Sequence, residues 1–153
     1  MTVYRIANER FKDDISGKGA ALYGGRWNFA GRPMLYTSQF ISLCILESLV
    51  HLQRGQFPET QYLLHIEIPE PLLFQEISFK RIKERWKTES EYTQFLGDEF
   101  LKNEQSVILK VPSVVVPQEQ NFLLNPLHID FKKVKIVSSE LLEPHKRLMI
   151  KSS

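Results

Sequence analysis

Residues 24–54 read GGRWNFAGRPMLYTSQFISLCILESLVHLQR, and this stretch sets the expected organisation of the chain. It predicts a glycine turn that carries Arg26, a short strand over 34–37 that contains Tyr36, and an amphipathic helix that contains Glu47. Paired glycines allow positive φ and a close approach of a ligand to the main chain. Polar groups gather here where a purely hydrophobic segment would not need them. The stretch is therefore the first candidate for a functional site.

The expected helix follows Ser38, a favourable N-cap residue, and stops at Gly55. Apolar residues cover much of its circumference, which predicts burial on more than one side: Ile41, Leu43, Ile45, Leu46, Leu49, Val50 and Leu52. Glu47 shares the narrower remaining face with Cys44 and His51. A carboxylate among aliphatic neighbours needs a polar or charged partner, which marks Glu47 as unusual. The alternative is a glutamate on the helix surface or one paired with an arginine.

Outside this stretch the sequence predicts many short strands. Strands are expected in six places: 2–6, 61–68, 106–111, 113–116, 121–125 and 130–137. Pro112 and Pro117 place two of these strands at an edge or a bulge, because proline cannot donate to a strand ladder. Residues 8–19 are expected to form a loop, and residues 72–80 show no clear preference. Since strands and helices do not alternate regularly, the predicted class is α+β.

Two further helices are expected in the second half of the chain. Thr88 and Glu91 have the spacing of a capping box, which predicts a helix that continues to about Asn103. Gly97 lies inside this segment and costs roughly 1 kcal/mol relative to alanine in a helix interior. Residues 140–150 are expected to form a terminal helix.

The length and composition indicate one domain over residues 1–153. The chain is 42% hydrophobic and 25% charged, a normal balance for a globular protein. Its formal net charge is +2 without a clustered basic segment, which argues against direct nucleic-acid binding. No apolar run approaches the roughly 20 residues of a membrane span. The single cysteine, Cys44, and a charged N-terminal segment predict a cytoplasmic protein without a signal peptide.

Short motifs recur in a defined order along nearly the whole chain. They are Tyr4-Arg5, Gly24-Gly25-Arg26-Trp27-Asn28, Gly31, Leu35-Tyr36-Thr37-Ser38, Leu46-Glu47, His51, Val111-Pro112-Ser113, Asn121, Asn125-Pro126, His128 and Asp130. In this order they resemble the RES-domain family, which comprises bacterial toxins of toxin–antitoxin pairs and is named for an arginine, a glutamate and a serine. The resemblance implies a fold similar to ADP-ribosyltransferase toxins. That fold is a split β-sheet core with short strands and two or three flanking helices.

The resemblance also assigns roles by position. The arginine of the family falls on Arg26, the tyrosine on Tyr36, the glutamate on Glu47 and the serine on Ser113, with Ser106 as the second choice. It implies cleavage of NAD at the nicotinamide–ribose bond, through an oxocarbenium-like ribose as in glycoside hydrolysis. A carboxylate beside the ribose would stabilise this cation, and a guanidinium fork would bind the diphosphate. The tyrosine would stack on nicotinamide, and the serine would hydrogen-bond the substrate or the arginine.

Each assigned residue also has a structural alternative. Arg26 could form a salt bridge, for example to Glu47 itself. Tyr36 could be a core tyrosine at the end of a strand, and Ser113 could only tie a bulged backbone. From the residues alone these alternatives remain open.

Metal and cofactor chemistry has little support in the sequence. His51 follows Glu47 at i+4 with Cys44 on the same side, but two ligands are too few for a zinc site, so a hydrogen-bonded helix histidine is favoured. Trp27 is more typical of packing than of ligand stacking. The G-x-G at 17–19 lacks the third glycine of a dinucleotide fingerprint. The resemblance implies NAD as the substrate, and neither a cofactor nor a metal is expected.

Three functions follow from the resemblance. The first is a toxin that degrades NAD, the second is a protein ADP-ribosyltransferase, and the third is a catalytically silent NAD-binding module. The expected partner is a cognate antitoxin that carries the DNA-binding domain, and a homodimer is left open. Hydrolysis and transfer to a protein acceptor are not separated by the sequence.

Overall fold

The computed structural model of the chain describes residues 1–51, 60–70, 72–143 and 148. Its strands are β1 Thr2–Asn8, β2 Leu35–Ser38, β3 Gln61–Glu67, β4 Phe74–Glu76, β5 Ile108–Pro112, β6 Gln120–Leu124 and β7 Lys135–Leu142. Its α-helices are α1 Lys18–Tyr23, α2 Ile41–His51 and α3 Ser90–Asn103. Short 3-10 helices cover Glu9–Phe11 and Ile129–Lys133. No helix within these ranges is long and apolar enough to cross a membrane.

The seven strands form a single mixed sheet that is split in the middle. The strand order is β4-β5-β6-β2-β1-β3-β7, and β4 runs parallel to β5 while the other neighbours are antiparallel. The two halves meet between β1 and β2 at one residue pair, Tyr4 with Ser38. By contrast, β2 pairs with β6 along its whole length. This is the α+β split-sheet architecture with flanking helices that the sequence predicts.

Alternate residues of the central strands supply two hydrophobic clusters on opposite faces of the sheet. On β2, Leu35 belongs to the first cluster, with Leu64, Ile66 and Phe122. Tyr36 packs against the second, which contains Met34, Trp27, Trp86, Phe100, Leu101, Leu109, Val111 and Leu123. The Trp27 and Trp86 rings lie 6.0 Å apart, and Trp27 is buried. The interpretation of Trp27 as a packing residue is therefore confirmed.

Side chains of helix α3 bind the backbone of the glycine turn at residues 24–29. Three side chains do so: Thr93 Oγ1 donates to the Arg26 carbonyl at 2.6 Å, Gln94 Nε2 donates to the Gly25 carbonyl at 2.9 Å, and the Asp98 carboxylate accepts from the Phe29 N–H at 3.2 Å. These contacts join segments almost 70 residues apart in the chain. The position of the turn is consequently set in part by α3, a distant segment of the chain.

The start and the burial of α2 differ from the prediction. Ser38 is the last residue of β2, its hydroxyl points to Asn121, and α2 begins at Ile41, so Ser38 is not the N-cap. Only Leu43 and Cys44 of α2 are buried, whereas Leu46 and Val50 are 41% and 63% exposed. Burial on more than one side is therefore wrong, because the sheet covers one face only. The predicted stop at 55 lies outside the described residues.

Other element boundaries differ from the prediction because of tertiary contacts. The Thr88 hydroxyl donates to the Arg85 carbonyl, so the capping box does not form, although α3 ends at Asn103 as predicted. Helix α1 occupies part of the predicted loop, and residues 113–116 form a turn. Strand β7 extends through Leu142 by pairing with β3, which overrides the local helical preference of 140–142. The rest of the expected terminal helix falls almost wholly outside the described residues.

The expectation that proline places this strand at an edge or a bulge is also wrong for β5, whose pairing with β6 is continuous. This strand lies between β4 and β6, and Pro112 is its last residue. At a strand end the missing N–H disturbs little of the ladder. The strand at Gln61–Glu67 and the one at Gln120–Leu124 agree closely with the prediction.

We predict that Gly97→Ala lowers the free energy of unfolding by about 2 kcal/mol or more. A Cβ on Gly97 would overlap the carbonyl oxygen of Trp27, so α3 would have to move away from the turn. Helix propensity alone predicts the opposite sign, a gain of about 1 kcal/mol. Denaturant unfolding checks this, with Gly19→Ala in α1 as control, since a Cβ there meets nothing within 4 Å. Equal unfolding free energies for Gly97→Ala and Gly19→Ala would contradict the proposed close contact.

Candidate active site

Glu47 on α2 is held by two uncharged donors. Its Oε1 atom accepts from Ser113 Oγ and from Asn121 Nδ2, each at 2.7 Å. The side chain is partly buried, and no ion pair within the described ranges includes it. The structure thus replaces both sequence alternatives, a solvated surface glutamate and an Arg26–Glu47 salt bridge, with a carboxylate fixed by neutral groups.

Ser113 is fully buried in the turn that follows β5. Its Oγ accepts from the backbone N–H groups of Val115 and Val116 at 3.1 and 3.0 Å, which directs its own hydrogen to Glu47. Ser113 therefore both ties its own turn and binds the carboxylate. Ser106, the second choice for the family serine, lies apart from this cluster and donates to the Ile108 carbonyl.

Asn121 and Ser38 complete the surroundings of Glu47. They pair directly across β6 and β2, so their side chains share one face of the sheet. Ser38 Oγ donates to Asn121 Oδ1 at 2.8 Å, while Asn121 Nδ2 reaches Glu47. Sequence reasoning gave neither residue a role in the site. The available signal was a polar residue inside the apolar run QNFLL, but its partner could not be read from the chain.

Arg26 lies in the glycine turn with a largely uncommitted guanidinium. Its Nη1 donates to the Lys87 carbonyl at 3.1 Å, and no ion pair within the described ranges includes Arg26. A guanidinium has five N–H donors, so the remaining ones are available to an anion. The backbone carbonyl of the same residue is fixed by Thr93.

The Tyr36 hydroxyl anchors the turn to β2. It accepts from the Trp27 N–H at 3.0 Å and donates to Asn28 Oδ1 at 2.6 Å. Burial raises the pKa of Tyr36, so the hydroxyl stays protonated at physiological pH. A Cβ on Gly25 would lie 2.5 Å from this oxygen. The space beside Gly25 is consequently filled by Tyr36, and the expectation that both glycines open the backbone to a ligand is wrong at this position.

Asn28 is buried and organises the turn from inside. Its Nδ2, which carries two hydrogens, lies within hydrogen-bond distance of three carbonyls, those of Ala20, Phe29 and Arg32, at 2.9 to 3.1 Å. Gly24 takes a φ of 72°, the left-handed conformation that glycine tolerates. The turn that carries Arg26 is therefore rigidly built by buried polar contacts.

The geometry supports no catalytic or metal-binding role for Cys44 and His51. Cys44 is buried, which raises the pKa of its thiol to about 11 and keeps it protonated. His51 is exposed at the end of α2. In the described part of the chain, no group of three or more His, Cys, Asp or Glu side chains is placed to hold a metal ion.

Strand β2 connects the two charged groups of the site. Tyr36 anchors the turn of Arg26, and Ser38 contacts the amide that holds Glu47. Residues two apart on a strand point to one face and are about 7 Å apart. One face of this four-residue strand thus supports the turn of Arg26 through Tyr36 and the carboxylate of Glu47 through Ser38. Such a site suits a substrate with separate negative and positive parts.

Comparisons with known proteins identify the family of this chain. A family model described as "RES domain" matches residues 2–148. "Prs ADP-ribosylating toxin" of Sphingobium sp. (strain YBL2) is 37% identical over 127 residues, which cover 80% of this chain and 79% of the relative. "Toxin Res" of Photorhabdus laumondii subsp. laumondii is 37% identical over 136 residues, covering 87% of this chain and 86% of the relative.

A solved structure shares the fold. A chain in the crystal structure of the M. tuberculosis MbcT–MbcA toxin–antitoxin complex superposes with a TM-score of 0.76, at 16% identity, over 97% of this chain and 88% of that one. At this identity the likeness concerns the fold alone. The match to the family model and the identity to the curated relatives extend over most of the sequence, and on that basis this chain belongs to the RES domain family.

Proposed function

We propose that this chain is the toxin component of a toxin–antitoxin pair and that it cleaves NAD at the nicotinamide–ribose bond. The observation that carries the proposal is the Glu47 carboxylate, which Ser113 and Asn121 fix and which forms no ion pair with a cation among the described residues. Membership of the RES domain family, with relatives named as toxins, supports the biological role.

The chemistry asks for negative charge beside the ribose. As the bond to nicotinamide breaks, the ribose becomes oxocarbenium-like, and nicotinamide leaves as a neutral pyridine that needs no general acid. A preorganised carboxylate stabilises the cation without reorganisation at the moment of reaction. Glu47 has this preorganisation because two short hydrogen bonds hold one of its oxygens. Water then attacks the anomeric carbon to give ADP-ribose.

The other assigned residues bind the substrate or hold the site. Arg26 is proposed to bind the diphosphate, since its guanidinium has free donors and its turn is held by α3. Tyr36 is proposed to present its ring to nicotinamide, because its hydroxyl is already engaged twice. Ser113 is proposed to act on NAD through Glu47, given that its hydrogen is directed to the carboxylate.

A second candidate is transfer of ADP-ribose to a protein. The relative from Sphingobium, named "Prs ADP-ribosylating toxin", favours it, and the same site would serve both reactions. Incubation of the purified chain with NAD separates the alternatives. Hydrolysis yields nicotinamide and ADP-ribose, transfer yields nicotinamide and a mass increase on a protein, and a catalytically silent NAD-binding module yields neither.

We predict that Glu47→Gln lowers nicotinamide release by about 100-fold or more while the fold is kept. The glutamine Oε1 can still accept from Ser113 and Asn121, so only the charge is lost. The matched control is Glu76→Gln, because Glu76 also accepts from a β6 amide, Gln120 Nε2 at 2.7 Å, but is exposed on the edge strand β4. A folded Glu47→Gln protein as active as the Glu76→Gln control would refute the assignment.

We predict that Arg26→Lys weakens NAD binding by about tenfold, because a point charge does not reproduce a bidentate fork on phosphate. Calorimetry on Glu47→Gln protein, with and without Arg26→Lys, measures the affinity without turnover. Arg32→Lys is the control, since Arg32 is exposed in the same loop and uses its carbonyl to hold Asn28. Equal affinities for the two lysine variants would assign Arg26 a structural role.

The third prediction concerns the partner. The fold neighbour comes from a toxin–antitoxin complex, and a free NAD hydrolase would harm its own cell. We therefore propose an antitoxin that carries the DNA-binding domain and covers the cleft between the Arg26 turn and α2. Such an interface would bury on the order of 1,200–2,000 Å² in total. Assignment of DNA binding to the partner follows from the net charge of +2 on this chain.

Co-expression with the neighbouring open reading frame tests this proposal. The two proteins should copurify, and the complex should release nicotinamide far more slowly than the free chain. Val50→Glu alters an exposed side chain of α2, so it should weaken the complex but leave the free chain active. A tight complex that turns over NAD at the free rate, or salt-sensitive DNA binding by this chain alone, would contradict the proposal.

A further inference from the structure

We infer that Ser38 and Asn121 act as positioning residues for Glu47. In this arrangement, termed the Ser38–Asn121–Glu47 relay, the protein fixes one carboxylate oxygen and presents the other to the ribose of the substrate. The inference deepens the proposed NAD cleavage and rests on it. It concerns two side chains that sequence reasoning left without a role in the site.

The hydrogen bonds at Glu47 are asymmetric. Both donors, Ser113 Oγ and Asn121 Nδ2, reach Oε1 at 2.7 Å, and the hydrogen bonds of the described residues leave Oε2 without a protein donor. Two bonds to one atom fix the position and the tilt of the carboxylate plane. Oε2 is therefore the oxygen available to accept from a ribose hydroxyl and to face the developing positive charge.

The orientation of the Asn121 amide decides whether this arrangement holds. An amide has a donor end and an acceptor end of nearly the same shape, so rotation by 180° would place Oδ1 against the carboxylate and repel it. Ser38 Oγ donates to Oδ1 at 2.8 Å and is 5% exposed, so water does not readily replace it. The Glu47 carboxylate, which can only accept, selects the orientation that points Nδ2 to it, and the Ser38 hydroxyl satisfies Oδ1 in that orientation.

Strand pairing supplies the rigidity. Ser38 and Asn121 are direct partners in the register of β2 and β6, and the Thr37 hydroxyl adds a further bond to the Phe122 carbonyl next to them. A shift of this register by one residue would turn both side chains to the opposite face. The relay is thus built on two strands in the middle of the sheet, and its geometry does not depend on a loop.

The first test separates positioning from binding. Asn121→Leu keeps the volume of the side chain but removes the donor to Glu47. Loss of a hydrogen bond to a charged group should lower kcat by about 10- to 100-fold. KM for NAD should change little, because the relay acts on the carboxylate and not on the diphosphate. Ser38→Ala should give a smaller loss of roughly 3- to 10-fold, from a neutral hydrogen bond. Ser106→Ala, a buried serine outside the site, is the matched control.

The second test does not need activity. Asn121→Asp places a second carboxylate against Glu47, and like charges at this distance cannot both ionise without cost. The variant should therefore melt well below the wild type at pH 8, and the difference in Tm should shrink at pH 5, where the pair shares one proton. Asn103→Asp is the control, because Asn103 bonds to Gln75 and Gln105 and meets no carboxylate in those bonds.

Neighbouring titratable groups must be held constant in this comparison. Cys44 and His51 lie on α2 one turn to either side of Glu47, Arg5 lies next to Cys44, and Glu119 accepts from the Ser113 N–H through its backbone carbonyl. Histidine is the residue type whose charge ordinarily changes between pH 5 and 8, and His51 is the histidine on this helix. The Tm series is therefore repeated in a His51→Gln background.

The outcomes separate the inference from the proposed function. Loss of kcat in Asn121→Leu, together with an acid-dependent Tm difference in Asn121→Asp, supports the relay. Wild-type kcat in both Asn121→Leu and Ser38→Ala, or a Tm difference that ignores pH, overturns it even when Glu47→Gln is inactive. If the wild type releases no nicotinamide, the proposed function fails and the positioning role fails with it, whereas the Tm series still establishes or excludes the contact. If Asn121→Leu does not fold, Ser38→Ala and Asn121→Asp decide.

Discussion

The pairing of β2 with β6 is the constraint on which the candidate site depends. Four consecutive residue pairs join these strands in the middle of the sheet, and on their shared face Tyr36, Ser38 and Asn121 carry the polar contacts. Because side chains alternate along a strand, the same pairing buries Leu35 and Thr37 on the opposite face. The hydrophobic pattern that fixes the fold therefore also fixes the direction of the functional side chains.

Around this strand pair, the charged residues come from elements that are themselves anchored elsewhere. The Arg26 turn is held by α3, where Gly97 permits the helix to touch the backbone of Trp27. Helix α2 packs against β1 and β2 and brings Glu47 to Asn121 on β6 and to Ser113 after β5. A substitution that disturbs the packing of α3 would thus displace the Arg26 turn, although no residue proposed to contact the substrate is changed.

The sequence predicted the class of fold and the main strands, because these depend on local periodicity and on motif order. It could not predict contacts between residues that lie far apart in the chain. Ser38 has the chemistry of an N-cap, but serine also bonds to side chains, and its partner Asn121 is 83 residues away. Strand β7 likewise exists because β3 pairs with it, and its own sequence permits a helix. Motif order assigns roles to Arg26, Tyr36, Glu47 and Ser113. The hydrogen bonds that orient these residues come from Thr93, Trp27 and Asn121.

The choice of neutral partners for Glu47 has a physical consequence for the proposed reaction. An arginine at this position would hold the carboxylate more strongly, but it would cancel the charge that a ribose cation needs. Ser113 and Asn121 fix the oxygen by hydrogen bonds and leave its field in place. Arg26 is likewise left without a carboxylate within the described ranges, so each charge of the site remains uncompensated by the other. The proposed substrate NAD carries an anionic diphosphate and a cationic nicotinamide ribose, and these two parts would compensate Arg26 and Glu47.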